Sequence, residues 1–203
     1  MSQSIKYIFR MTHILNIPHI MDAGFVHADS PNASPDYIPI GDSSMIRARA
    51  GRDAAGKTLD KYIPFYFGPR SPMLYVIQKG FNGVTKRLPR DIVYCVLRID
   101  TVINSKLRFV FTDGHAADHI TITYKREDLS NIDSIISYND VYAQFWNEDP
   151  DAKRKKEAEL LFFDEVPASL ISGFIVYDEK ARQQLMSYGI PEDKIIIRTT
   201  FYF

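Results

Sequence analysis

The sequence predicts an α+β domain built on antiparallel strands and short helices. Short runs rich in β-branched and aromatic residues outnumber the helical segments, and they do not alternate with long helices as the strands of a parallel sheet do. Long polar connections containing Pro, Gly and Asp separate several of these runs. Because 45% of the 203 residues are hydrophobic, we expect one domain with a sizeable core over residues 1–203.

The first strand is predicted at Ile5–Arg10, and a helical stretch from about Asn16 stops at Gly24. Val26–Ser44 contains three prolines and one glycine, a composition that favours an irregular connection. So long a connection in a compact domain usually has a function, and we expect this one to be functional.

Between residues 45 and 67 the pattern predicts a helical turn or two, a mobile segment and a strand. The helical turns are expected at Met45–Arg52 and the mobile segment at Asp53–Asp60. The strand covers residues 62–67, where Pro64 indicates an edge strand or a β-bulge because proline donates no backbone hydrogen bond.

A helix of about two turns follows, with Pro72 after Ser71 at its start and Gly80 at its end. Spaced apolar residues over 129–146 predict one or two more helices, and another is expected at 179–188. The remaining strands are predicted at Asp91–Ile99, Arg108–Thr112, Thr121–Tyr124, Leu160–Phe163, Gly173–Tyr177 and Lys194–Arg198.

Charge, cysteine content and hydropathy exclude several classes of protein. The 25 Lys and Arg residues balance 25 Asp and Glu residues, so nucleic acid would be bound by a local patch and not by bulk charge. The one cysteine, Cys95, excludes a disulfide within the chain and multi-cysteine metal sites, so we expect no metal and a reducing, cytoplasmic setting. No apolar run approaches the roughly 18 residues of a membrane span, so we expect a soluble chain that contacts no membrane.

Two carboxylates after a basic run form the first candidate site. The run 153–156 is followed by Glu157 and Glu159, which would point to one face of a strand because side chains alternate with period two. Such a pair can orient a hydroxyl group and stabilise a developing cation. The alternative is a charged helix end whose Glu and Lys side chains neutralise one another.

An aromatic block, residues 62–75, is the second candidate because it contains five aromatic side chains. Its rings could stack on a planar ligand while Arg70 meets a phosphate; the alternative is a core strand followed by a capped helix. The third candidate is the strand end where Arg10 and His13 interrupt apolar residues. Arg is almost never fully buried without a partner, whereas a lone His is more often a packing residue.

Taken together, these segments resemble the DarT family, the DNA ADP-ribosyltransferase toxins of bacteria and phage, over nearly the whole chain. The matching segments are Arg10-Met-Thr-His-Ile-Leu-Asn-Ile-Pro18, Ile40-Gly41 with Arg49 shortly after, Tyr62-Ile-Pro-Phe-Tyr-Phe-Gly-Pro-Arg-Ser-Pro-Met-Leu-Tyr75, Phe109-Val-Phe-Thr-Asp-Gly-His115 and Lys155-Lys-Glu-Ala-Glu159-Leu-Leu. The aromatic block is the most specific of them.

The resemblance implies an ADP-ribosyltransferase fold of two packed antiparallel sheets, with flanking short helices and a cleft for NAD+ as co-substrate. By position, Glu159 matches the family's catalytic glutamate, Arg49 its catalytic-site arginine and His115 a histidine near the substrate. We therefore expect catalytic roles for these three residues. Contacts to NAD+ are expected from Arg10, Met11, Thr12, His13, Arg49, Tyr66, Phe67, Arg70, Ser71 and Glu157.

The implied acceptor is a base in single-stranded DNA. Residues 137–156 match the loop that shapes the substrate face in ADP-ribosyltransferases, and they offer rings for stacking and cations for phosphates. The expected DNA-binding residues are Tyr138, Tyr142, Phe145, Trp146, Lys153, Arg154, Lys155 and Lys156. The resemblance also implies a toxin paired with a macrodomain antitoxin of the DarG type.

Two residues depart from the pattern of many family members, which have histidine in place of Arg10 and glutamine in place of Glu157. Arginine combined with Glu-x-Glu is the pattern of the cholera-toxin-like branch, so the placement of NAD+ is expected to differ in detail. The family divides into thymidine-modifying and guanosine-modifying members, and the Arg10 pattern favours guanine. The alternatives are an enzyme acting on RNA or protein arginine, and a catalytically inactive module that binds single-stranded DNA.

Overall fold

The computed structural model of the chain describes residues 4–146 and 150–203, and within them it confirms the α+β class. The strands are β1 (Tyr7–His13), β2 (Asp53–Ala54), β3 (Lys57–Thr58), β4 (Ile63–Tyr66), β5 (Ile92–Arg98), β6 (Phe109–Thr112), β7 (Thr123–Lys125), β8 (Glu159–Phe162), β9 (Ile171–Val176) and β10 (Ile195–Ile197). The helices are α1 (Ile17–Ala23), α2 (Ser43–Arg49), α3 (Pro72–Lys79), α4 (Ile99–Asn104), α5 (Ile132–Ile135), α6 (Tyr138–Tyr142), α7 (Pro150–Lys156) and α8 (Glu179–Ser187).

One large sheet dominates the described part of the chain. Its eight strands lie in the order β10-β9-β5-β1-β4-β8-β6-β7, and all neighbours are antiparallel except β10 and β9. Two packed sheets were expected, whereas a hydrogen-bonded seam between β1 and β4 joins the two halves into one sheet. At that seam Phe9 and Tyr66 form the only registered pair described, while β1 and β5 pair along their whole length.

Strand β5 is the centre of the core because both of its faces are covered. Side chains alternate along a strand, so Val93 and Leu97 enter a large cluster on one face while Tyr94 and Val96 enter a second cluster on the other. Helices α1 and α8 contribute to the first cluster and α3 to the second. Burial on both faces explains why this strand is apolar without alternation in the sequence.

Strand β4 corrects the expectation that Pro64 marks an edge strand or a bulge. The strand lies inside the sheet, between β1 and β8, and Pro64 is in register with Leu161 of β8. The backbone N and C=O of one strand residue point to the same side, and the Pro64 carbonyl accepts a hydrogen bond of 2.8 Å from Nη1 of Arg10 in β1. The missing N–H of proline therefore falls at the seam, where no ladder bond to β1 is made.

Within the segment 53–60, which was expected to be mobile, residues 53–58 form a hairpin of β2 and β3. Ala55 and Gly56 lie at its tip with φ of +50° and +80°, the left-handed conformation that tight hairpin turns require. The hydroxyl of Tyr62 donates to the backbone oxygen of Ala54 at 2.7 Å and attaches the hairpin to the start of β4.

The helix boundaries follow the predicted chemistry closely. At α3 the hydroxyl of Ser71 accepts a hydrogen bond from the backbone N of Leu74, and Gly80 ends the helix with φ of +73°. Over 129–146 the structure has the short helices α5 and α6, and the chain continues as an irregular segment after Tyr142.

Candidate active site

The centre of the site is an ion pair between the end of α2 and the start of β8. Arg49 places Nη1 at 3.3 Å from Oε1 of Glu159 and Nη2 at 3.1 Å from Oε2, so both carboxylate oxygens are held by one guanidinium. The side chain of Glu159 is only 1% exposed and that of Arg49 14% exposed. The arginine therefore covers a carboxylate that would otherwise be buried without a countercharge.

Neighbouring residues fix the position of this carboxylate. The backbone N of Glu159 donates to Oγ1 of Thr112 at 3.2 Å, and that hydroxyl donates in turn to the carbonyl of Gly114 at 2.7 Å. The backbone N of Ala116 lies at 3.4 Å from Oε1 of Glu159. Strand β6 and the turn after it thus hold the first residue of β8 in one orientation.

A cleft of about 220 Å³ lies directly over the arginine. Its walls come from β1, the connection before α2, β4, α3 and the turn after β6, and the lining is mostly apolar with a few polar groups, as is usual for small-molecule sites. The lining residues are Arg10, Met11, Tyr37, Pro39, Ile40, Gly41, Asp42, Met45, Arg49, Pro64, Tyr66, Met73, Ile77 and His115.

Arg10 enters this cleft from the seam of the sheet. Its guanidinium donates to the carbonyl of Pro64 and lies 5.7 Å from the ring centroid of Phe25. Its Nε is buried and has no hydrogen-bond partner among residues 4–146 and 150–203. A cation that lines a cleft and forms no ion pair among the described residues fits an anionic ligand group such as a phosphate.

His115 and Glu157 face a groove of about 780 Å³ that adjoins the cleft. Burial lowers the pKa of His115, although the nearby carboxylate of Glu159 acts in the opposite direction, so the imidazole is neutral at pH 7 and can accept a proton. Burial raises the pKa of Glu157 to about 7. A neutral imidazole and a carboxyl group with a pKa of about 7 thus both line this groove.

The structure brings together part of the predicted NAD+ contacts. Arg10, Met11, Arg49 and Tyr66 line the cleft, and Glu157 lines the adjoining groove. The other five do not line the cleft, and each is committed to a contact elsewhere.

Thr12 and His13 do not line the cleft. Thr12 is buried and accepts a hydrogen bond of 3.0 Å from the side chain of Asn16. His13 is buried, and its Nδ1 accepts from the backbone N of Leu15, the contact that starts the 3-10 turn before α1. Burial lowers the pKa of His13, so it is neutral at pH 7, as expected of a packing histidine.

Phe67, Arg70 and Ser71 are also corrections to the predicted set. Phe67 is buried in the core, because its ring packs edge-on against Phe111 at 6.1 Å. Ser71 is buried as the cap of α3. Arg70 lies with its guanidinium 4.0 Å from the ring centroid of Phe203 and donates to the carbonyl of Tyr202, so it faces the C-terminal residues instead of the cleft.

The predicted DNA-binding aromatics divide into two pairs. Tyr138 and Tyr142 stack on each other, with ring centroids 4.3 Å apart, and both pack partly against the core. Phe145 is 66% exposed, and Trp146 lines the groove with its ring at 6.0 Å from that of Tyr75. Tyr138 and Tyr142 are half-buried and do not line the groove, whereas Phe145 is exposed and Trp146 lines it.

The basic run is less available than expected. Lys153 is exposed and lines the groove. Arg154 also lines the groove, but it forms ion pairs with Asp113 and with Asp151, and Lys155 pairs with the same Asp151 at 3.0 Å. Lys156 is buried and does not reach the surface, which corrects its assignment as a phosphate contact.

Several lining residues were not singled out from the sequence. Tyr37, Pro39 and Asp42 lie in the predicted connection Val26–Ser44, whose length had indicated a functional role, and Met45 and Met73 come from α2 and α3. The sequence features that indicated a functional role for this connection were its length and its proline content. No local pattern marks the two methionines, because apolar residues on a helix predict core packing equally well.

Two kinds of feature are absent from residues 4–146 and 150–203. These residues contain no group of three or more His, Cys, Asp or Glu side chains arranged to hold a metal ion. They also contain no helix with the length and hydropathy needed to cross a bilayer.

Comparison with known proteins gives relatives over the whole of this architecture. A curated DNA ADP-ribosyl transferase of Escherichia coli O127:H6 is 38% identical over 184 residues, which is 88% of this chain and 83% of the relative. A DNA ADP-ribosyl transferase–DNA ADP-ribosyl glycohydrolase fusion protein of Thermosipho africanus is 30% identical, and the match covers 98% of this chain and 50% of the fusion protein.

Solved structures also match over the whole length of this chain. Thermus sp. 2.9 DarT in complex with ADP-ribosylated ssDNA superposes with a TM-score of 0.85 at 26% identity, and the match covers 100% of both chains. The same protein in complex with NAD+ gives a TM-score of 0.80 at 27% identity, again over 100% of both chains. The family model described as ssDNA thymidine ADP-ribosyltransferase, DarT, matches residues 9–203. With the match extending over nearly the whole chain, this protein belongs to the DarT family of DNA ADP-ribosyltransferases.

Proposed function

We propose that this chain transfers ADP-ribose from NAD+ to a base in single-stranded DNA. The observation that carries the proposal is the Arg49–Glu159 pair at the start of β8, beside a cleft that both Arg49 and Arg10 line. Support also comes from the similar Thermus protein, which has been solved with NAD+ and with ADP-ribosylated ssDNA.

Glu159 is proposed to stabilise the transition state. When NAD+ is bound, it supplies an ADP-ribosyl group whose ribose becomes positively charged as neutral nicotinamide leaves, as in glycoside cleavage. A buried carboxylate acts on such a charge at a lower effective dielectric than water provides. Glu159 meets this requirement because its side chain is 1% exposed and is fixed by strand β6.

Arg49 and His115 are proposed to act beside this carboxylate, Arg49 in ligand binding and His115 in proton transfer. Arg49 holds both oxygens of Glu159 and lines the cleft, so it can pass from the carboxylate to a ligand phosphate or base without leaving the site. His115 has a lowered pKa and lines both the cleft and the groove. A neutral imidazole at that position is suited to accept the proton that the DNA base must lose.

The target base is a finer part of the proposal. The family model is described for thymidine, so thymine is the first base to test, and guanine, which the Arg10 and Glu157 pattern favours, is the second. Glu157 is compatible with both because its pKa is raised to about 7. The protonated carboxyl can donate to a thymine carbonyl, and the ionised form can accept from the guanine amine.

We also propose that the activity is toxic to cells and acts in the cytoplasm. The fusion protein from Thermosipho africanus joins a transferase to a DNA ADP-ribosyl glycohydrolase, an activity that would reverse the modification. A macrodomain partner of the DarG type is therefore the proposed antitoxin. Expression with and without such a glycohydrolase, followed by viable counts, tests this part.

The experiment that tests the activity is mass spectrometry of nucleosides after incubation with NAD+. Single-stranded oligonucleotides carrying thymine without guanine, and guanine without thymine, separate the two bases. RNA and an arginine-rich peptide test the other acceptors. A mass increase on a DNA nucleoside is expected; modification of only RNA or peptide would overturn the DNA assignment, and binding of DNA without consumption of NAD+ would indicate an inactive module.

A further inference from the structure

Lys156, the last residue of α7, is a buried cation without a carboxylate partner among the described residues. It is only 1% exposed, and its Nζ donates to three backbone carbonyls, at 3.3 Å from Pro69, at 3.0 Å from Val141 and to Ala143. An ammonium group has three donors and no acceptor, so these carbonyls satisfy it completely. The neighbouring Lys153 and Lys155 have no such environment.

The three carbonyls belong to two segments that are distant in sequence. Pro69 lies in the turn between β4 and α3, while Val141 and Ala143 lie at the end of α6 and just after it. These segments touch closely, because a Cβ added at Gly68 would lie 2.0 Å from the carbonyl oxygen of Val141. Lys156 therefore fills a junction where three pieces of backbone converge and carbonyl dipoles accumulate.

The residues that leave this junction carry the exposed rings. We call residues 143–146 the substrate-face segment; it contains Phe145 and Trp146, and Nη2 of Arg70 lies at 3.5 Å from the carbonyl of Gln144. On the other side of the junction, Lys156 is followed by Glu157 and then, at the start of β8, by Glu159. One ammonium thus connects the segment bearing the rings to the strand bearing the carboxylate.

We propose that Lys156 is a positioning residue that fixes the substrate-face segment relative to Glu159. The inference rests on the proposed function, since it takes residues 143–146 to be the surface that meets single-stranded DNA. A displacement of about 1 Å between a substrate and a catalytic group lowers rates by on the order of a hundredfold, so such a connection matters for turnover.

The electrostatics of the junction agree with this role. Burial lowers the pKa of Lys156 to about 8, Arg70 acts in the same direction and Asp140 in the opposite one. Burial raises the pKa of Tyr142, the nearest phenol on α6, so that this group does not titrate near pH 8. The ammonium is thus the group at this junction whose loss of charge would release carbonyl contacts close to pH 8.

The test uses the single tryptophan of the chain, Trp146, as a reporter. In Lys156→Met the emission of Trp146 should shift to the red and acrylamide quenching should increase, because the segment loses its attachment. With NAD+ and single-stranded oligonucleotides, kcat/KM for DNA should fall by on the order of tenfold to a hundredfold while the KM for NAD+ stays within error. Lys156→Gln, which keeps an amide donor, should show a smaller change in both measurements.

Lys180→Met on the exposed face of α8 is the matched control and should change neither reading. Unchanged Trp146 emission and an unchanged kcat/KM for DNA in folded Lys156→Met would overturn the proposal. If wild type fails to modify DNA, the proposed function fails, while the fluorescence comparison still decides the role of Lys156. If neither variant folds, wild-type emission titrated from pH 7 to 9 decides: a transition near pH 8 supports the role and a flat profile overturns it.

Discussion

Arg49 and Glu159 lie 110 positions apart in the sequence, yet the guanidinium of one holds both carboxylate oxygens of the other, at 3.3 and 3.1 Å. The pair stands where the cleft meets the sheet, so it is at once a structural contact and the proposed catalytic centre. Removing either member should therefore change both stability and activity, but not in the same proportion.

Glu159→Gln should abolish transfer while the fold is retained. The amide is nearly isosteric and can still accept a hydrogen bond from Arg49, but it has no charge to stabilise a developing cation. We expect the rate to fall by about two orders of magnitude or more, which is the effect of removing one electrostatic stabiliser. Transfer to a labelled oligonucleotide and a circular dichroism spectrum provide the two readings.

Glu127→Gln is the matched control for this change, because Glu127 is exposed and lies outside the cleft and the groove. It should retain full activity. Activity of Glu159→Gln within a few-fold of wild type would remove this carboxylate from the mechanism.

Arg49→Ala should destabilise the protein more than Glu159→Gln does. It leaves the 1% exposed carboxylate without a countercharge, and breaking a buried pair in this way costs about 3 kcal/mol of unfolding free energy. The double variant should recover part of that loss, because no charge then remains uncompensated. Urea denaturation of the four proteins gives the coupling energy, and strict additivity would show that the pair is not an energetic unit.

The free energy of unfolding should fall as the pH rises through the range in which Glu157 ionises. Its pKa is raised from 4.5 to about 7 by burial, so the folded state binds more protons than the unfolded state between these values. Below pH 4.5 the carboxyl is neutral in both states; above pH 7 the folded state bears the full penalty, up to about 3 kcal/mol.

Glu157→Gln should therefore be more stable than wild type at pH 8 and similar to it at pH 4.5. Thermal or urea unfolding at the two pH values measures the difference. An equal offset between the two proteins at both pH values would mean that burial does not raise this pKa.

Lys153→Ser should weaken binding of single-stranded DNA in a salt-dependent way. Lys153 is the exposed member of the basic run that lines the groove, and each lost phosphate contact lowers the slope of log K against log salt by about 0.7. Arg154→Ser should also disturb the turn after β6, because it breaks the ion pair with Asp113. Fluorescence anisotropy at several salt concentrations tests Lys153→Ser, and an unchanged slope would place Lys153 outside the DNA path.

Local chemistry predicted the regular elements of this fold well and the site unevenly. The start of α3 at Ser71-Pro72 and its end at Gly80 were predicted because caps act within a few residues. The assignment of Arg49 and Glu159 to one catalytic site followed from the resemblance to DarT and not from spacing, and their ion pair was not predicted, since no local rule connects residues 110 positions apart.

The misassigned residues share a physical cause. Pro64 was expected at an edge because its missing donor was considered without the neighbouring strand, whereas that donor falls at the seam beside Arg10. Lys156 was assigned to DNA as a member of the basic run, and Phe67 to NAD+ as a member of the aromatic block. Both side chains are buried instead. Whether a lysine in a basic run meets water or backbone carbonyls depends on segments such as 68–70, which the run itself does not contain.

The cleft lies at the seam between β1 and β4, where two halves of one sheet meet, and not between two separate sheets. Arg10 lies on β1, at the edge of one half, and Glu159 lies on β8, which pairs with β4 at the edge of the other half. A ligand that contacts both residues would add interactions across the seam. Without it, the two four-stranded halves are joined weakly, with one registered pair described between β1 and β4. We therefore expect the two halves of the sheet to unfold as separate units when the cleft is empty and as one unit when a ligand fills it.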